Sequence, residues 1–153
     1  MHRRGQMQMS DEELQAYLEE QRSLAVATIG LDGYPHVVAM WFAVVNGEIA
    51  FWTYAKAQKA VNLRRDPRLT CLIESGDEYA QLRGVMIKGH AELIEDAAAV
   101  LRLGETIHRR YAGGVLSAEA ARKVAAQAPK RIGVIVRPEA IVSWDHRKLA
   151  PNA

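Results

Sequence analysis

The chain of 153 residues is long enough for one domain with a real core, and its 49% hydrophobic and 25% charged residues match an ordinary soluble globular protein. Twenty basic against eighteen acidic residues leave a net charge of +2, without the concentrated basic stripe of a nucleic-acid-binding protein. The single cysteine, Cys71, excludes an internal disulfide and suits a reducing compartment, and no apolar run approaches the length that spans a bilayer.

Residues 1–9 carry no element signal and are expected to form a flexible N-terminal segment. Arg3 and Arg4 lack a following apolar core, so no signal peptide is expected and the expected location is cytoplasmic. Residues 10–149 read as one domain and 150–153 as a C-terminal tail. Ser10 followed by Asp11, Glu12 and Glu13 has the form of a capping box, and Leu14, Tyr17 and Leu18 repeat at helical spacing, so a helix is expected over 11–21. Strands follow at Leu24–Ile29, Pro35–Val45 and Glu48–Tyr54. Asp32-Gly33 and Asn46-Gly47 supply the tight turns between them, which predicts an antiparallel meander.

Val37, Val38, Ala39, Met40, Trp41 and Phe42 do not alternate with polar residues, as a strand with one wet face would. Both faces of the second and third strands must then be covered. A barrel core would take one, and a ligand, a second subunit or an outer helix the other.

The stretch from Trp52 to Arg68 (WTYAKAQKAVNLRRDPR) has the pattern of a short helix and carries Lys56, Lys59, Arg64 and Arg65 with no acid before Asp66. Lysines in a helix's opening turns oppose the macrodipole. A bound anion resolves that conflict, because free N–H groups and lysines at a helix start can cradle a phosphate. A solvated basic helix is the alternative. Asp66-Pro67 ends the element.

Further strands are expected at Leu69–Glu74 and Arg83–Ile94, with Gly84 and Gly89 as candidate bulges. A helix from Asp96 is closed by Gly113-Gly114 and another spans Ala118–Gln127, before a closing strand from Ile132 to Trp144 bent at Pro138. Cys71 lies within an apolar run and reads as a buried, inert thiol.

The five histidines lack metal-ligand spacing, and no nucleophile elbow, Walker loop or Gly-x-Gly-x-x-Gly occurs. An anion cradle and apolar walls with few acid–base groups point to a cofactor that carries the chemistry.

The order helix, ATIGLDGYPHVVAMWF, hairpin, TYAKAQKAVNLRRDPR resembles the flavin-reductase-like split β-barrel of the pyridoxamine 5′-phosphate oxidase superfamily. Within it the match is to the F420-dependent (deazaflavin) oxidoreductase branch, and the C-terminal SWDHRKL is similar to the ending of one mycobacterial subgroup. The resemblance covers about Ser10 to Leu149. It implies a mainly β fold with flanking helices, an FMN-binding-like split β-barrel that forms a homodimer.

The resemblance also implies that coenzyme F420 is held through its phosphate by Lys56, Gln58, Lys59 and Asn62. FMN-using relatives carry Ser-Arg-Lys where this chain has Ala57-Gln58-Lys59, which favours the deazaflavin over FMN, the alternative cofactor. The ring would lie against His36, Val38, Ala39, Met40, Trp41 and Thr53 at the dimer interface, with Trp41 and Trp52 near it. Trp144, His146 and Arg147 would reach the site from the same or the partner subunit. No catalytic residue and no metal ligand are assigned.

The implied activity is hydride transfer between reduced F420 and an unsaturated small organic substrate, with no nucleic-acid or membrane partner. An FMN-dependent oxidase or reductase and a non-catalytic F420 carrier are the alternatives.

Overall fold

A computed structural model of the chain describes residues 3–149; residues 1–2, with His2, and the tail 150–153 lie outside the described residues. A short helix, α1 (Arg3–Met7), occupies part of the segment for which no element was expected. Helix α2 (Asp11–Glu20) starts at Ser10, whose Oγ accepts the Glu13 N–H at 3.2 Å. The Glu13 carboxylate pairs with Lys148, 2.7 Å away.

The strands are β1 (Leu24–Ile29), β2 (Pro35–Met40), β3 (Ala43–Val45), β4 (Glu48–Tyr54), β5 (Arg68–Ser75), β6 (Arg83–Ile94) and β7 (Arg131–Asp145). Helices α3 (Gln58–Arg65), α4 (Ala97–Tyr111) and α5 (Ala118–Gln127) complete the order. All pairings are antiparallel, in one sheet ordered β2-β1-β5-β6-β7-β4-β3.

This order corrects the expected meander. The run 35–45 is two strands, and they lie at opposite edges of the sheet. Seven flat strands would set those edges about 29 Å apart, whereas the chain from Met40 to Ala43 reaches no more than about 11 Å. The sheet must therefore curl until its edges approach. The result is a seven-stranded half-barrel with flanking helices, a split β-barrel.

The inner face holds the main core. Leu24, Val26, Phe42, Phe51, Ile73, Val85 and Val134 meet Tyr17 and Leu18 of α2 and Leu63 of α3. A second cluster lies outside β4, where Ala50 and Trp52 pack beneath Val100, Leu103 and Ile107 of α4 and Val124 of α5. The outer face of β4 is thus covered by helices, the alternative among the three coverings considered. A Cβ on Gly104 would come within 2.3 Å of the Trp52 ring, so glycine lets α4 lie directly on the indole. The outer face of β2 has no such cover among the described residues: Val37 is 60% exposed.

The turn chemistry follows the sequence. Asn46 and Gly47 take φ of 52° and 79° between β3 and β4, as a two-residue hairpin requires. Asp96 caps α4 by accepting the Ala99 N–H, and the Gly114 N–H closes that helix on the Arg109 carbonyl. Strand β7 is continuous, and its pairing with β6 shifts register between Lys88 and Gly89, opposite Pro138. Cys71 is buried, which pushes its thiol up to about 12.

Candidate functional site

The chain leaves β4 at Tyr54 and turns into α3, with the Ala57 N–H donating to the Tyr54 carbonyl at 3.0 Å and the Ala55 N–H to Lys130 at 2.9 Å. Ala57 is the N-cap and has no side-chain oxygen, so no side chain caps the first-turn N–H groups. Two of the four cations are tied to the fold. Arg64 donates to the Ala55 carbonyl at 2.6 Å and lies 3.8 Å from Glu95, while Arg65 donates to the Ile29 carbonyl.

Lys59 is placed differently. Its Nζ donates to the buried Thr53 Oγ1 at 3.0 Å. Burial, and then the charge of Arg131, hold its ammonium below the ordinary lysine value. Arg131 opens β7 directly opposite Tyr54, its guanidinium 4.0 Å from the Tyr54 ring centroid and 4.7 Å from that of Trp52. Its Nη2 donates to Gln127 at 3.3 Å, and its Nε is buried without a partner. Among the described residues no carboxylate lies within 4.0 Å of Lys56, Lys59 or Arg131.

The adjacent face of α3 carries a polar row. Gln58 Nε2 donates to Asn62 Oδ1 at 2.8 Å, and Asn62, fully buried, donates to Thr28 Oγ1 at 3.0 Å. His36 is the cross-strand partner of Thr28, and its buried Nδ1 has no partner. His36, Gln58 and Asn62, with Gly30, Tyr34 and Pro35, line a cleft of about 640 Å³. The structure therefore unites His36, Gln58 and Asn62 in the cleft and sets Lys59 with Thr53 beside it. Lys56 is exposed in the turn.

The remaining expected residues divide. Val38 and Met40 are half-buried along β2 and Ala39 is exposed. Trp41 stacks on Tyr111 of α4, centroids 4.1 Å apart, and stays 55% exposed. Trp52 is buried, its ring closed under α4 and Arg131. Trp144 lies across Gly84, where a Cβ would come within 2.1 Å of the indole. His146 meets the Tyr79 carbonyl at 2.7 Å, and Arg147 chelates the buried Asp145 through Nε and Nη2 at 2.9 and 2.7 Å. The fifteen-residue length of β7 separates these three from Arg131, so one chain does not bring them to α3.

Sequence reasoning missed Arg131. Its signal is non-local, because only the β4–β7 register puts it beside Tyr54. The arrangement can hold an anion: uncapped N–H groups and two cations that lack a protein counter-ion converge beside a cleft of donors and acceptors.

Comparisons with known proteins bear on this geometry. The family model described as pyridoxamine 5′-phosphate oxidase matches residues 10–145. The structure of a conserved hypothetical protein from Mycobacterium tuberculosis superposes with a TM-score of 0.91 at 44% identity, covering 100% of this chain and 96% of that one. An F420 reductase structure aligns with a TM-score of 0.66 at 27% identity, over 83% of this chain and 94% of that one. A pyridoxine/pyridoxamine 5′-phosphate oxidase of Cupriavidus metallidurans is 32% identical over 89 residues, which are 57% of this chain but only 40% of that protein.

Proposed function

This chain belongs to the pyridoxamine 5′-phosphate oxidase family, and from that premise we propose that it is an F420-binding oxidoreductase acting on an unsaturated small organic molecule. The observation that carries the reading is the uncompensated charge at Lys59 and Arg131, next to an uncapped helix start. That donor set fits a phosphate. An anion there would favour Lys59's charged form against burial and give the buried Arg131 Nε and the first-turn N–H groups an acceptor.

In this reading Lys59, with Lys56 and Arg131, holds the phosphate, and Gln58, Asn62 and His36 supply polar contacts along the cleft. Bound there, a deazaflavin would supply two-electron hydride chemistry at a ring carbon. The protein's own share is to fix the cofactor's position, shield one face of the ring from water and offer His36 as the cleft's imidazole. The 27% identity to an F420 reductase over 94% of its length supports F420, as does Gln58 where FMN-using relatives carry arginine. The partial match to a pyridoxine/pyridoxamine 5′-phosphate oxidase favours FMN as the second reading.

Expression in a host that makes both cofactors, followed by mass spectrometry of the released ligand, separates the two. F420 is the expected ligand. A yellow protein that releases FMN would replace the first reading with the second.

We also propose that the protein works as a homodimer. The outer row Ala39–Ala25–Leu72 runs unbroken across β2, β1 and β5, with Leu72 37% exposed, and the open Val37 lies on the same face in the next row. An apolar face of that extent is unusual on a monomer. Sedimentation at micromolar concentration should give a dimer, and Val37→Asp should shift it toward monomer. A stable, folded wild-type monomer would refute the assignment.

A further inference from the structure

A groove of about 460 Å³ opens where the end of α2, the edge strand β3 and the end of α4 meet. That volume is in the range of small-molecule sites, about 300–1,000 Å³. Its charged lining is Arg22, Arg109 and Arg110 against Glu19 alone. We propose that this groove binds the phosphate group of a small phosphate monoester, at a site separate from the α3 cleft. Arg22 stands two residues before Leu24, which pairs with Met40. The cleft lies at the Ile29 and Pro35 end of the same two strands, about 17 Å away along β1.

Helix C-termini attract cations, and the fold uses the three arginines to different degrees. Arg110 is fully engaged, with its side chain only 9% exposed. Its Nη1 donates to Glu19 Oε2 at 3.0 Å and its Nη2 to the Leu18 and Gln21 carbonyls at 2.6 and 2.7 Å. It neutralises Glu19 and closes α2. Arg22 is engaged through one nitrogen. Its Nη1 donates to the Glu19 and Gln21 carbonyls at 2.9 and 3.1 Å, and it pairs with no carboxylate among the described residues. Arg109 is engaged least. Its one carboxylate among the described residues is Glu105, 3.8 Å away and beyond hydrogen-bond reach. Two guanidiniums, at the ends of two different helices, therefore keep charge and donors free.

The backbone adds two donors. Val45 and Glu48 close the hairpin as a bonded pair, so Ala43 also bonds to β4 and Val44, between them, turns its N–H to the free edge of the sheet. After α4 the chain turns at Gly113 and Gly114, with φ of 68° and 89°. The Gly114 N–H is taken by the Arg109 carbonyl, whereas the Gly113 N–H has no backbone partner among the described residues. A Cβ on either glycine would meet nothing within 4 Å, so the backbone there is open to an approaching group.

These donors outnumber the two oxygens of a carboxylate. A phosphate monoester offers three acceptor oxygens and close to two charges, which matches two free guanidiniums and two N–H groups. The phosphate fills a small part of the groove and leaves room for the organic group that carries it.

Magnetic resonance of the isotope-labelled full chain, titrated with phenyl phosphate and with inorganic phosphate, tests the site. With phenyl phosphate the Gly113 and Val44 amide signals should shift together on one saturating curve. Arg109→Gln should weaken that binding about tenfold, the worth of one charge-assisted hydrogen bond. Arg22→Gln should weaken it too, with thermal melts as the folding control, and Lys59→Ala should leave it unchanged. Inorganic phosphate should move the same two signals with lower affinity. The proposal is overturned by an absence of saturation at Gly113 and Val44, by an affinity untouched in an Arg109→Gln protein that melts normally, or by a curve lost in Lys59→Ala. Inorganic phosphate binding as tightly as the ester would also overturn it, because the groove would then hold the ion alone.

Discussion

The two ends of β7 are both rich in positive charge, but they differ in what those charges meet. At the Asp145 end three cations are answered: Arg147 by Asp145 at 2.7 Å, Arg83 by Glu20 at 2.8 Å, Lys148 by Glu13 at 2.7 Å. At the Arg131 end Lys59 and Arg131 meet a hydroxyl, an amide and two aromatic rings, and no carboxylate among the described residues. Answered charges hold structure together and have little left to give a ligand. Unanswered, partly buried charges cost the empty protein stability and return it when an anion binds. The same residue types therefore serve the fold at one end of a strand and stand without a carboxylate partner at the other.

The largest expected effect breaks the structural end. Asp145 is buried and accepts the Arg147 N–H, Nε–H and Nη2–H. Asp145→Ala should cost about 2 kcal/mol, kept to that figure because Arg147 is 55% exposed. The melting temperature should fall by roughly 4–8 °C, with cofactor affinity unchanged in the variant that remains folded. A melt identical to wild type would remove Asp145 from the fold's support.

A pH series sharpens the same contrast. The Arg147 hydrogen bonds hold the Asp145 carboxyl below its ordinary 3.8, as Lys148 holds Glu13 and Arg83 holds Glu20 below their ordinary 4.5. Since the folded values are the lower ones, this stability is fully present above the unfolded values and is lost as pH falls through the folded ones. Melting temperature should stay level down to about pH 5 and drop below about pH 4. The drop should be shallower in Asp145→Asn, and equal slopes in the two proteins would contradict the assignment.

The smallest effect is at the ligand end. Arg131→Gln keeps some hydrogen bonding but loses the charge and its contacts with two rings. Cofactor affinity should fall about 3- to 10-fold, less than for the lysine that lies next to the helix start. Isothermal titration reads this directly. A loss larger than that of Lys59→Ala would make Arg131 the principal anion ligand.

Local signals in the sequence placed most elements. Ser10 and Asp96 do open their helices, and Asp32-Gly33 and Asn46-Gly47 do turn the chain, because each acts through neighbours a few residues away. The break at Trp41-Phe42 was not legible, since an apolar run looks the same whether it continues a strand or passes between two sheet edges. The cover over Trp52 depended on Gly104, fifty-two positions later in sequence. At the site, the α3 residues Gln58, Lys59 and Asn62 could be found by spacing along one helix. Arg131 needed the β4–β7 register. The C-terminal Trp144, His146 and Arg147 were expected to reach the site from the same or the partner subunit, and the length of β7 holds them far from α3 within one chain.

The central claim is that Lys59 is a ligand's counter-ion and not a support of the fold. Titrating F420 into wild type, Lys56→Ala and Lys59→Ala, with melts of the three cofactor-free proteins, tests it most directly. Lys59→Ala should lose about 10- to 100-fold in affinity, the worth of one charge-assisted hydrogen bond, and should melt close to wild type because it also removes a partly buried charge. Lys56→Ala, exposed in the turn, should lose less. Unaltered F420 affinity in a Lys59→Ala protein that melts normally would contradict the account.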